Sequence, residues 1–343
     1  MPTIKKPNQH FDTTLHTGNG GTQSVTNAGG FSPDFVWIKN RSRDGADPYY
    51  GVHMLFNTIT GAGNRLMSQS TTTEVYSASS LTAFNSNGFS VGSDLPVNRS
   101  GDSFVGWQWK AGGASTVNTS GSISSNVSVN ATAGFSVVTY TNSAGRNAHT
   151  VGHGLGVAPK MFFIKTRSAT ADWPVYHASL GATKAVYLNS TLAEQTNATF
   201  FNNTSPSSTV ITLGSGLSDA GVTIVAYCWA EVEGYSKFGS YVANASSDGP
   251  FIYTGFRPRW IMFKRSTSDT NWYIINTAIS PYNASTTGLY PNTSDAESTE
   301  GAVDILSNGF KCRVSSGGFN FPSGQTFLYA AFAESPLKYS NAR

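Results

Sequence analysis

The sequence predicts an all-β protein of three tandem antiparallel β-sandwich, jelly-roll-like domains. One motif recurs three times: Gly30-Phe-Ser-Pro33-Asp-Phe-Val-Trp-Ile-Lys39, Gly156-Val-Ala-Pro159-Lys-Met-Phe-Phe-Ile-Lys165 and Gly255-Phe-Arg-Pro258-Arg-Trp-Ile-Met-Phe-Lys264. Short runs rich in Val, Ile, Thr, Phe, Tyr and Trp are bounded by Gly, Asn, Ser and Pro clusters, as strands are. Helical periodicity never persists beyond about two turns. In a chain of 343 residues the repeats imply units of roughly 100 to 120 residues, where length alone suggests two domains.

Each repeat is read in the same order. An opening segment, Phe11-Asp-Thr-Thr-Leu-His-Thr, Phe135-Ser-Val-Val-Thr-Tyr-Thr or Tyr235-Ser-Lys-Phe-Gly-Ser-Tyr, lies 22 to 24 residues before the motif proline. In the motif, glycine permits a positive φ, proline opens a strand without needing its missing donor, and the lysine is expected to return the run to solvent. The runs Phe35-Val-Trp-Ile38, Met161-Phe-Phe-Ile164 and Trp260-Ile-Met-Phe263 are apolar on both faces, which predicts strands covered on both sides. Aromatic segments follow at Tyr49-Tyr-Gly-Val-His53, Trp173-Pro-Val-Tyr-His177 and Trp272-Tyr-Ile-Ile-Asn276. Ser86-Asn-Gly-Phe89 and Ser307-Asn-Gly-Phe310 are tight-turn signals that start the next strand, with Ser208-Thr-Val210 in the second copy. Each copy closes on an apolar run: Phe104-Val-Gly-Trp-Gln-Trp109, Ile224-Val-Ala-Tyr-Cys-Trp229 and Phe327-Leu-Tyr-Ala-Ala-Phe332.

These landmarks divide the chain into an N-terminal arm (1–9), repeat 1 (10–111), a Gly/Ser/Thr/Asn-rich linker or hairpin arm (112–133), repeat 2 (134–233) and repeat 3 (234–343). The short spacing at 230–234 predicts closer docking of repeats 2 and 3 than of repeats 1 and 2. The polar arm is expected to order on a partner, so that its deletion leaves the repeats folded.

Charged residues make up 12% of the chain and aromatic residues 13%. The surface must therefore be carried by Ser, Thr, Asn and Gly. A formal charge of +3 with scattered basic residues gives little support to nucleic-acid binding. The sequence has no run long enough for membrane insertion, and its first 30 residues lack a secretory core, so folding in a cytoplasm is expected. Cys228 and Cys312 fall at different landmarks and read as buried free thiols. About a dozen Asn-x-Ser/Thr triplets are compositional in a chain this rich in those residues.

Few residues are placed for chemistry. His149 and His153 are four apart, but Val-Gly-His-Gly is a poor helix and no carboxylate or cysteine adjoins them, so no metal site is expected. Asp94, Asp102, Asp295, Glu297 and Glu300 are read as falling at no position common to the three repeats. Neither a catalytic set nor a cofactor motif is found. For a sugar-binding surface the candidates are Tyr49, Trp173 and Trp272 as stacking rings, with His53 and His177 as polar groove residues at comparable landmarks and Asn276 in the third copy. Against that, a repeated tryptophan is more commonly core, and the histidines could simply cap strand ends.

The stretches Phe35-Val-Trp-Ile-Lys39-Asn-Arg-Ser42, Val151-Gly-His-Gly-Leu-Gly-Val-Ala-Pro159-Lys160, Gly255-Phe-Arg-Pro258 and Tyr339-Ser-Asn-Ala-Arg343 resemble tandem-repeat, β-rich virion structural and tail-fibre proteins of tailed bacteriophages, especially those of aquatic hosts. The resemblance implies a virion component assembled in the host cytoplasm, and it brings no catalytic residues. The expected function is non-enzymatic: a tail or tail-fibre protein, homo-oligomeric, bound to other virion proteins and contributing to attachment to a host-surface glycan. A capsid decoration or cement protein is the alternative, with a polysaccharide depolymerase behind it.

Overall fold

The motif segments are strands, Phe35–Asn40, Met161–Thr166 and Pro258–Arg265, and each follows its opening and closing strands in the same order within its sheet. The computed structural model describes residues 4–43 and 50–335. In each of three sections the opening strand pairs with the closing strand, the closing strand with the motif strand, and the motif strand with the strand after it, all antiparallel. The closing strands are Ser103–Trp109, Thr223–Trp229 and Thr326–Ala333. A second, smaller sheet packs over the large one: Gln23–Thr26, Gly88–Val91 and Leu81–Asn85 in the first section, His149–Gly152 and Val210–Leu213 in the second, and Phe251–Tyr253, Gly309–Cys312 and Val303–Leu306 in the third. The fold is thus all-β and sandwich-like. Among the described residues, the helices are single turns such as Leu95–Asn98 and Ala198–Phe201, and none is long enough to cross a membrane.

The motif glycines adopt the predicted left-handed backbone, with φ of 64° at Gly30, 75° at Gly156 and 85° at Gly255. The glycine of Ser-Asn-Gly-Phe serves a different need. A Cβ at Gly88 would lie 2.0 Å from the Val25 carbonyl oxygen, and one at Gly309 would lie 2.1 Å from that of Ile252. These glycines admit the neighbouring strand, while Ser-Asn forms the two-residue loop between the Asn85↔Gly88 and Leu306↔Gly309 pairs.

Strand alternation distributes the apolar motif residues to two cores, as runs apolar on both faces require. Val36 and Ile38, Phe162 and Ile164, and Ile261 and Phe263 each face the small sheet of their own section. Phe35 and Trp37, Met161 and Phe163, and Trp260 and Met262 point the other way, into one core shared by all three sections. There Trp109 is the hub, with ring centroids 6.0 Å from Trp229, 5.8 Å from Trp260 and 5.7 Å from Phe332. The three sections are therefore lobes around common apolar contents, each leaning on the others for one face of its large sheet.

That arrangement bears on several expectations. Residues 112–133 form a hairpin, Thr116–Asn118 with Ser125–Asn130, which extends the second section's large sheet to eight strands. Docking is not confined to the second and third sections, because the shared core joins all three. The described part of the N-terminal arm is packed down: Ile4 is buried in the shared core, Pro7 is buried, and Asn8 accepts a 3.0 Å hydrogen bond from Ser335 near the far end of the described chain. The third opening strand starts at Ser236, which pairs with Phe332 as Phe11 pairs with Trp109. Tyr235 instead matches His10, one residue earlier.

Candidate functional site

The described candidate site residues lie in the seams between lobes. Tyr49 falls outside the described residues. His53, Trp173, His177 and Trp272 are all buried, so none offers a face to a surface ligand. Cross-strand register explains their roles. Trp37 pairs with Leu55, Phe163 with Val175 and Met262 with Ile274, so His53 is equivalent to Trp173 and Trp272, while His177 is equivalent to Asn57 and Asn276. The two histidines do not share a landmark.

The three equivalent rings do the same work. Nε1 of Trp173 donates to the Met67 carbonyl at 3.0 Å, and Nε1 of Trp272 donates to the Tyr187 carbonyl at 2.7 Å. His53 Nε2 donates to the Tyr290 carbonyl at 2.9 Å. His53 Nδ1 accepts from Trp37 Nε1 at 2.9 Å, which makes the ring a neutral Nε2–H tautomer. Burial, reinforced by nearby Lys39, holds its pKa well below the ordinary range. His177 caps a strand end, accepting from the Ser179 amide at 3.2 Å, and burial lowers its pKa to about 4.

The motif lysines are the largest departure from expectation. Lys39, Lys165 and Lys264 are fully buried. Lys165 Nζ donates to the Thr71 carbonyl at 2.7 Å and to that of Ala171. Lys264 Nζ donates to the carbonyls of Thr191 at 2.7 Å and Thr270 at 2.6 Å. Lys39 Nζ donates to the carbonyl of Gly51 and, at 3.2 Å, to that of Ser294. Each lysine thus reaches a carbonyl of another lobe, and the order closes a ring: second to first, third to second, first to third. The low-dielectric setting disfavours the charge, and burial pulls Lys165 down to about 8 and Lys264 to about 7.

The acceptor segments form a repeated strap: Gln69-Ser-Thr71-Thr-Thr-Glu74, Asn189-Ser-Thr191-Leu-Ala-Glu194 and Asn292-Thr-Ser294-Asp-Ala-Glu297. The side-chain oxygen of its first residue accepts the backbone N–H of His53, Trp173 or Trp272. Its last residue gives a backbone bond across the seam, from Glu74 to Arg167 at 2.8 Å, from Glu194 to Ser266 at 2.7 Å and from Glu297 to Arg41 at 3.0 Å. Glu74 and Glu297 add ion pairs to those arginines. At the seam between the second and third lobes Ser266 stands where the arginine would be, its hydroxyl has no partner among the described residues, and Glu194 pairs with Lys184 of its own lobe. Acidic residues therefore do recur in register. The signal was an amide, two hydroxyl residues and a glutamate three further on.

The histidine pair of the second section is held by local hydrogen bonds. His149 shares a 3.1 Å hydrogen bond with the Tyr140 hydroxyl, and His153 Nδ1 accepts from the Leu155 amide at 3.2 Å. Among the described residues, no three His, Cys, Asp or Glu side chains converge as metal ligands. Cys228 and Cys312 are buried free thiols whose pKa is pushed up to about 12 by burial.

The lobes differ on their outer faces. Val25, Val151 and Ile252 hold equivalent inward positions, opposite Phe89, Ile211 and Phe310. The residues beside them on the opposite face are exposed Ser24 and Thr26 in the first lobe and exposed Phe251 and Tyr253 in the third, whereas Thr150 and Gly152 of the second are covered by Asn118 and Ser122 of the hairpin arm. Phe251 is 46% exposed and Tyr253 64%.

Over residues 6–336 the chain matches the model of a family described as "Domain of unknown function (DUF7483)". The chain belongs to that family. The match runs through all three lobes as one unit. No curated protein matches the chain.

Proposed function

We propose that the chain is a non-enzymatic structural protein of a tailed-phage virion, carried on the tail or its fibres and contributing to attachment to host-surface glycans. The observation that carries this reading is the division of labour between faces. Shared residues are spent on the common core and the seams, while the outer surfaces diverge and include exposed aromatic rings. Such a body suits a rigid presenting scaffold, on which weak surface contacts multiply when copies assemble. The buried, bonded state of His53, His177 and the three motif lysines favours a structural over a catalytic use of these groups. The sequence resemblance to phage virion proteins supplies the setting, with other virion proteins and further copies of the chain as partners.

The three lobes around one core also favour a second reading, a capsid decoration or cement protein seated on a local threefold axis. Labelled antibody or cryo-microscopy on intact particles separates the two. Signal on the tail is expected, signal confined to the capsid supports cement, and absence from particles contradicts both.

A further inference from the structure

The geometry points to a glycan-binding platform on the outer face of the third lobe's small sheet, with Phe251 and Tyr253 as stacking rings for an oligosaccharide. This rests on the attachment reading and gives it a site.

Phe251 and Tyr253 flank buried Ile252 and so project from the same face, roughly 6.5 to 7 Å apart along the strand. Cross-strand register places Phe251 opposite Lys311 and Tyr253 opposite Gly309. A Cβ on Gly309 would come within 3.0 Å of Phe251 Cε2, and one on Gly255 within 3.6 Å of the Tyr253 hydroxyl, so both rings lie close over glycine backbone. Aromatic cover of sheet glycines can be purely structural. Here, however, both rings stay substantially exposed, and the first lobe closes the same sheet position with exposed Ser24 and Thr26. The lobe does not need aromatics there in order to fold.

The surroundings select the ligand. Lys311 pairs with Asp248 at 2.8 Å and Arg313 with Asp304 at 2.6 Å, giving a fringe of two cations and two anions. The Asp248 side chain is 83% exposed, which leaves acceptor capacity free for a ligand. A neutral fringe rich in both donors and acceptors suits a polyhydroxylated ligand and gives no advantage to a polyanion. Two rings of about 150–250 Å² each, part of it already covered, fall short of the roughly 800 Å² per partner of a stable protein interface. The patch matches a few sugar units.

The test is the double variant Phe251→Ser/Tyr253→Thr, which installs the first lobe's own residues. Binding of purified full-length protein to immobilised bacterial capsular and lipopolysaccharide O-chain oligosaccharides is measured alongside thermal unfolding. Wild-type protein is expected to bind, and the variant to bind roughly tenfold more weakly or worse with an unchanged unfolding midpoint. If the double variant is destabilised, Tyr253→Thr alone, at the more exposed ring, must still weaken binding. Undiminished binding by the variant overturns the platform and leaves the attachment reading standing. Wild-type protein that binds none of the panel overturns both. Unaltered glycan binding with lost self-association in sedimentation overturns the platform in favour of contact with a second copy.

Discussion

The inner and outer faces of the three large sheets are equally apolar, yet they hold different things together. Trp37, Phe163 and Met262 face inward, and Ile38, Ile164 and Phe263 face outward along the same strands. The outward set closes each lobe on its own small sheet. The inward set joins lobes that are distant in sequence, and the buried lysines, seam rings and glutamate straps add polar contacts at its margins. Apolar pattern alone does not reveal which face a chain uses for assembly, because burial against self and against a neighbour asks for the same side chains.

Truncation tests this contrast most strongly. Trp109→Ala, at the hub, is expected to lower stability by about 3–5 kcal/mol and to weaken all three lobes in one denaturant transition. Leu213→Ala, on the second lobe's small sheet and buried in that lobe's own core, should cost about 2–4 kcal/mol and reduce amide protection mainly in that lobe. Separate losses per lobe in Trp109→Ala would remove the distinction.

Next comes pH. Lys264 and Lys165 have folded values of about 7 and about 8 against 10.5 for an ordinary lysine. Below both values the ammonium is charged in either state, and the full cost of burying it is present. As pH rises through the folded values the native lysine loses its proton while the unfolded one keeps it, so stability rises with pH. The slope is at most about 1.4 kcal/mol per pH unit for each lysine, and it is read below the tyrosine range by urea unfolding. Lys264→Met should remove the part that begins near 7. A flat profile between pH 7 and 9 would contradict the buried-lysine account.

The smallest effect compares seams. Glu74→Gln loses a well-covered pair with Arg167 and should cost about 1–3 kcal/mol. Glu194→Gln, at the seam with Ser266, loses only the more exposed Lys184 pair and should cost under about 1 kcal/mol. Equal shifts in thermal midpoint would show that the seam arginine contributes nothing beyond the backbone.

Much of the fold was legible because strand runs, turn residues and the motif are local signals. Phe35 to Ile38 announced a strand covered on both sides, and residues 112–133 allowed a hairpin. The seams were not legible in the same way. A lysine ending an apolar run ordinarily marks solvent, and nothing local to Lys165 tells that Thr71 will meet it. Chain order sets His53 level with His177, whereas the pairing of Leu55 with Trp37 and of Val175 with Phe163 sets it level with Trp173. Phe251-Ile-Tyr253 hides its two faces, since all three residues are apolar or aromatic and show no alternation. Only Ile252 is buried.

Native-state hydrogen exchange under increasing denaturant tests the central claim, that the three lobes form one body through their shared core. Amides of the closing strands Ser103–Trp109, Thr223–Trp229 and Thr326–Ala333 are expected to lose protection together, in a single coincident transition. Three well-separated transitions, one per lobe, would contradict it.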